Sequence, residues 1–175
     1  MKKIFKFMPL VVIALCSMMT ISCGDDDNSG DNPKDPSTTL TPSAAILFNC
    51  SDNFTDYFYV YLSVNGGAEQ KITDLKTTYI AEPPKSLPAT VKFTGKVVRK
   101  DGVDLENISA ATVEFVVGTG TVSGVYNPAT QTWSKFNPSI SSHPLSFKLP
   151  NTTEKIDKFI ETCTKYLNKE IVVEK

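Results

Sequence analysis

The stretch Thr90-Val91-Lys92-Phe93-Thr94-Gly95-Lys96-Val97-Val98-Arg99 decides the fold class. Val91, Phe93, Gly95 and Val97 alternate with Thr90, Lys92, Thr94 and Lys96. In an extended chain a period of two sends successive side chains to opposite faces, so one face of this segment meets a core and the other meets water. Lys100-Asp101-Gly102 then ends the run with turn-forming residues.

Upstream, Tyr57 to Val64 is rich in β-branched and aromatic residues and runs into Asn65-Gly66-Gly67. These residues tolerate positive φ, which predicts a hairpin with Glu69 to Thr73 as its return strand. Ala44 to Asn49, Thr112 to Val117, Thr121 to Tyr126, Gln131 to Phe136 and Leu145 to Leu149 are further short apolar segments bounded by turn residues. About 133 residues from Ser43 to Lys175 make one domain of ordinary size. The expectation is a single mainly β domain over 43–175, with seven or eight short strands arranged as an immunoglobulin-like β-sandwich by architecture rather than by any family signature.

Near the C-terminus the period changes. Ile156, Phe159, Ile160, Cys163 and Leu167 recur at three- and four-residue spacing, as on one face of a helix. A helix is predicted over 152–168, with Asn151 and Glu154 placed to cap its start, packed by its apolar face on the sheet. Ile171 to Val173 would add a last strand. The polar face mixes Lys155, Lys158, Glu161 and Lys165, without the strong basic bias of a membrane-surface helix.

The N-terminal segment reads differently. Lys2, Lys3 and Lys6 precede an apolar run from Phe7 to Ile21, the layout of a secretory signal peptide. Roughly 20 apolar residues are needed to span a bilayer as a helix, and this run, interrupted by Pro9, is shorter. Thr20-Ile21-Ser22-Cys23-Gly24 resembles the lipobox of bacterial lipoproteins, in the looser form found in the Bacteroidota, since Thr20 stands where leucine is usual. The resemblance implies removal of residues 1–22 and acylation of Cys23. Several acyl chains would then hold the protein on the membrane, each buried methylene contributing about 0.8 kcal/mol.

Asp25, Asp26 and Asp27 follow the cysteine directly and resemble the acidic segment that sends Bacteroidota lipoproteins to the outer face of the outer membrane. Between the cysteine and the domain, residues 24–42 hold one large apolar residue, Leu40. Such a stretch buries too little to offset its ordering entropy, so 23–42 is predicted to be a lipidated cysteine followed by a flexible acidic tether. As a coil it would hold the domain about 25 Å from the membrane on average, and roughly 60 Å when extended.

The chain carries 18 basic and 19 acidic residues. Lys2, Lys3 and Lys6 leave with the predicted signal, and the tether holds five aspartates and Lys34, so 14 residues of each sign remain from Ser43 onward. That balance argues against a nucleic-acid partner, which calls for a clustered basic excess.

Candidate chemistry is sparse. His143, the only histidine, sits in Ser141-Ser142-His143-Pro144, where adjacency in sequence supplies neither the geometry nor the orienting group a nucleophile needs. One histidine and few cysteines do not make an ordinary zinc site. Asp52 with Asp56, and Asp101 with Asp104, are near in sequence, but such turn aspartates normally shape backbone. Nothing calls for a cofactor. Cys50 and Cys163 are the cysteines left in the domain. They either form a disulfide, closing a long loop worth about 4 kcal/mol, or remain separate core thiols.

The most suggestive feature is aromatic. Tyr57, Tyr59 and Tyr61 fall on one face of a predicted strand, and Phe58, Val60, Leu62 and Val64 on the other. An outward tyrosine face with rings about 7 Å apart suits stacking on sugars or anchoring of a protein; a strand covered on both sides would make the same tyrosines core. Trp133, in a predicted hairpin spanning Tyr126 to Phe136, poses the same question. The reading is of a surface-tethered, non-enzymatic lipoprotein that binds a glycan, an envelope protein or a host molecule. A small envelope hydrolase and a periplasm-facing assembly or inhibitor protein are the alternatives.

Overall fold

The computed structural model describes residues 40–175, together with Val12 and Ile13, which run antiparallel beside Tyr79 and Thr78. Cys23, Asp25, Asp26, Asp27 and, apart from Val12 and Ile13, the rest of the predicted signal and tether before Leu40 lie outside the described residues.

From residue 40 onward the strands are β1 (Thr41–Phe48), β2 (Phe58–Val64), β3 (Gln70–Ile72), β4 (Thr78–Ile80), β5 (Ala89–Arg99), β6 (Ala111–Asn127), β7 (Thr132–Leu149) and β8 (Lys169–Val173). A four-residue helix α1 (Phe54–Tyr57) precedes β2, and α2 (Thr153–Leu167) precedes β8. One antiparallel sheet runs β4-β1-β6-β7 and the other β3-β2-β5-β8. An immunoglobulin constant domain sets its first two strands side by side; here β1 and β2 lie in different sheets.

The alternation in β5 does what its period dictates. Val91, Phe93 and Val97 are buried, whereas Thr90, Lys92, Thr94 and Lys96 are exposed. They share one core with Phe58, Val60 and Leu62 of β2, Ala44, Ile46 and Phe48 of β1, and Val113, Phe115 and Val117 of β6. The two sheets therefore face each other across a common apolar layer, and burying each such side chain contributes about 1.5–3 kcal/mol. The predicted hairpin follows β2: Asn65 and Gly66 take φ of 51° and 72°, and β3 returns in register, Tyr61 opposite Lys71.

Helix α2 lies alongside β5 where the pairing with β8 stops. Thr164 Oγ1 accepts from the Val97 N–H at 3.0 Å, and the Asn168 amide bonds both the N–H and the carbonyl of Gly95. Ile156, Phe159, Cys163 and Leu167 turn into the shared core. Gly95 is where the helix comes closest, since a Cβ there would stand 3.0 Å from the Leu167 Cβ.

A second, smaller cluster covers the other face of the first sheet. Trp133 packs there with Ala45, Ile80 and Val122, bordered by Tyr126, Phe136 and Ile140.

Candidate functional site

The outer face of the β3-β2-β5-β8 sheet carries the tyrosines. Phe58, Val60 and Leu62 point into the core, which leaves Tyr59, Tyr61 and Ser63 half-buried on the opposite side. The Tyr59 and Tyr61 ring centroids lie 6.5 Å apart, close to the spacing of alternate residues on a strand, and the rings meet edge to face at 75°. Tyr57 does not extend this pair. It ends α1, and its ring packs against the core 6.5 Å from Phe58, because the helical turn Phe54–Tyr57 breaks the period of two before the strand begins.

Lysines complete the face. Lys71 Nζ lies 3.5 Å from the Tyr59 ring centroid and Lys100 Nζ 5.7 Å from it, while Lys96 Nζ lies 5.2 Å from that of Tyr61. Each distance is within cation–π range. Registration explains the grouping, since Tyr61 pairs with Lys71 on one side and Lys96 on the other. Sequence reasoning missed the lysines as part of the site, although the outward phase of Lys96 and the Asn65-Gly66 turn, which fixes Lys71 opposite Tyr61, were both readable. Lys96 also pairs with Glu69 at 2.8 Å, and Lys92 with Glu170 at 3.1 Å. Lys100 Nζ donates to the Thr55 carbonyl at 3.3 Å.

Trp133 is elsewhere and only 6% exposed, its ring 5.0 Å from that of Tyr126. The indole is thus a core element of the second cluster and offers no surface for a ligand. Cys50 and Cys163 are free, buried thiols in the main core. Burial pushes the Cys50 thiol up to about 12, against the smaller downward pull of the Val116 carbonyl contact and Lys76. Cys163 is pushed up further by burial, with Cys50 nearby adding to the effect.

His143 is exposed, its ring 4.9 Å from that of Tyr166, and among the described residues it makes no hydrogen bond to a serine. Asp52 pairs with Lys76 at 2.6 Å. Asp104 shapes its own turn, accepting from Asn107 Nδ2 at 2.9 Å and the Glu106 N–H at 3.1 Å, and these bonds hold its carboxyl below the usual range. Among the described residues no three His, Cys, Asp or Glu side chains converge as a metal site, and no helix is long and apolar enough to cross a membrane. An open depression of about 410 Å³ lies where the chain enters the domain, lined by Pro42, Ser123, Asn137, Pro138, Val172 and Lys175 among others.

Comparison of the chain with protein-family models, with curated proteins and with solved structures gives no match.

Proposed function

We propose that this chain is a non-enzymatic lipoprotein, anchored to the outer membrane through Cys23 and displayed at the cell surface, whose domain is an immunoglobulin-like β-sandwich in its layering and binds a ligand through the Tyr59–Tyr61 face. The observation that carries the reading is the outward phase of β2, which commits two large aromatic rings to a face whose neighbours Thr94 and Lys96 are exposed. Rings left half-buried on a surface supply contact area at low entropic cost, which is why tyrosine is enriched at binding interfaces. The lipobox-like segment and the aspartates behind it support the location, and the charge balance of the domain speaks against nucleic acid.

The test uses the full-length chain in detergent, mixed with envelope fractions and with envelope polysaccharide from the producing cells. Tyr59→Ala/Tyr61→Ala should lose retention while its thermal unfolding stays near that of the parent, because both rings sit outside the core. Equal retention of parent and variant would remove the face from the account.

A further inference from the structure

We infer that the Tyr59 face recognises an acidic polysaccharide, one bearing carboxylate or sulfate groups, with Lys71 and Lys100 as the anion-binding pair; this rests on the face being the binding surface. Two ammonium groups lie within 6 Å of one ring centroid, at 3.5 and 5.7 Å from Tyr59. Among the described residues neither has a carboxylate in ion-pair reach, whereas Lys76, Lys92 and Lys96 each have one: Asp52, Glu170 and Glu69. Other lysines, Lys85, Lys135 and Lys148 among them, also stand without an ion pair; what singles out Lys71 and Lys100 is that both ammonium groups converge on one ring, which no other ring among the described residues shows.

The ring explains how the pair is held. A tyrosine face attracts cations, so Tyr59 fixes two flexible side chains near one spot and lowers the entropy they lose when an anion arrives. Lys71 over Tyr59 also covers that ring against flat stacking by a neutral sugar, which turns the chemistry of the site from stacking to charge. Around it the face offers the hydroxyls of Tyr61, Ser63 and Thr94, which suit sugar hydroxyls.

An acidic peptide fits less well. Extended peptides gain much of their affinity from backbone hydrogen bonds at a sheet edge, and here β2 and β5 are interior strands, while β3, the edge that carries Lys71, is only three residues long. The face presents side chains only.

The experiment titrates the full-length chain in detergent with polygalacturonate, dextran sulfate, neutral dextran and poly-L-glutamate at about 50 mM salt, where exposed charges are weakly screened. Binding to at least one acidic polysaccharide is expected, weakened about tenfold by Lys71→Gln/Lys100→Gln, kept by Lys71→Arg/Lys100→Arg, and changed less than about twofold by Lys92→Gln, a paired lysine on the same face. Binding to poly-L-glutamate as tight as to the polysaccharides, insensitivity to the double glutamine variant, or no binding to either acidic polysaccharide would overturn the inference. Neutral dextran bound as tightly as the acidic chains, and lost in Tyr59→Ala/Tyr61→Ala, would overturn the anion pair while leaving the face as the binding surface. No binding of any probe that depends on Tyr59 and Tyr61 would sink both.

Discussion

The ring of Phe159 in α2 stacks on that of Phe147 in β7, centroids 4.6 Å apart and planes 12° from parallel, and it also meets the Phe58 ring of β2, centroids 5.8 Å apart. One helical side chain thus touches both sheets. Phe159→Ala should destabilise the domain by about 3–5 kcal/mol, because the cavity opens between layers that α2 holds together. Phe159→Leu, which keeps most of the volume, should cost less than half as much. Urea unfolding of both variants checks this, and similar midpoints for Phe159→Ala and the parent would show that the helix is not a structural wedge.

The two core thiols set a limit at high pH. Cys50 is raised to about 12 by burial, Cys163 is also raised, and Tyr79 is raised to about 12 by burial and by the nearby Asp74 charge, against ordinary values of 9.0 for the thiols and 10.0 for the phenol. Above pH 9 the unfolded chain releases protons that the folded chain keeps, so these groups favour folding fully below pH 9 and progressively less as pH rises towards 12. Each thiol can steepen the loss by up to about 1.4 kcal/mol per pH unit. The denaturation midpoint should stay level up to pH 9 and fall beyond it, less steeply in Cys50→Ala. Mass mapping of a thiol reagent should find Cys50 and Cys163 unmodified in the native chain and modified once it unfolds; thiols that stay unmodified after unfolding would mean a bridge.

Strand β7 is an 18-residue edge with two prolines in it. The carbonyls of Val116 and Glu114 accept from Asn49 and Ser51, on the side of β6 away from β7. Their register partners Pro144 and Ser146 therefore turn their backbone groups to the free edge, and Pro138, opposite Val122, has the same phase. A proline there removes a donor that a second chain would use. Pro138→Thr/Pro144→Thr should promote self-association, seen as concentration-dependent dimer or larger species in sedimentation velocity. A strictly monomeric double variant would assign the prolines another role.

The parts of the fold readable in sequence were those set by local period. Thr90 to Arg99 and Tyr57 to Val64 appear as Ala89–Arg99 and Phe58–Val64, and the helix predicted over 152–168 is Thr153–Leu167. The long β6–β7 hairpin was not legible. Thr112 to Val117 and Thr121 to Tyr126 are one strand, because Gly118 and Gly120, which look like breaks, lie where β7 passes too close for a Cβ. Gln131 to Phe136 and Leu145 to Leu149 are likewise one strand, since Pro138 and Pro144 sit where no ladder donor is needed. Thr78–Ile80 escaped notice, being three residues long. Of the site, alternation put Tyr59 and Tyr61 on one face but left open whether that face was covered, which depends on what packs on the sheet, and the burial of Trp133 likewise depended on a sheet face covered by Ile80, Val122 and Ala45, which come from distant segments.

The location of the protein underlies the whole functional account, and protease accessibility on intact producing cells tests it most directly. The native chain should be digested from outside, and a chain with Asp25→Ala, Asp26→Ala and Asp27→Ala should be retained inside the envelope and protected. Protection of both forms would contradict surface display and point the proposed Tyr59–Tyr61 face toward a partner within the envelope.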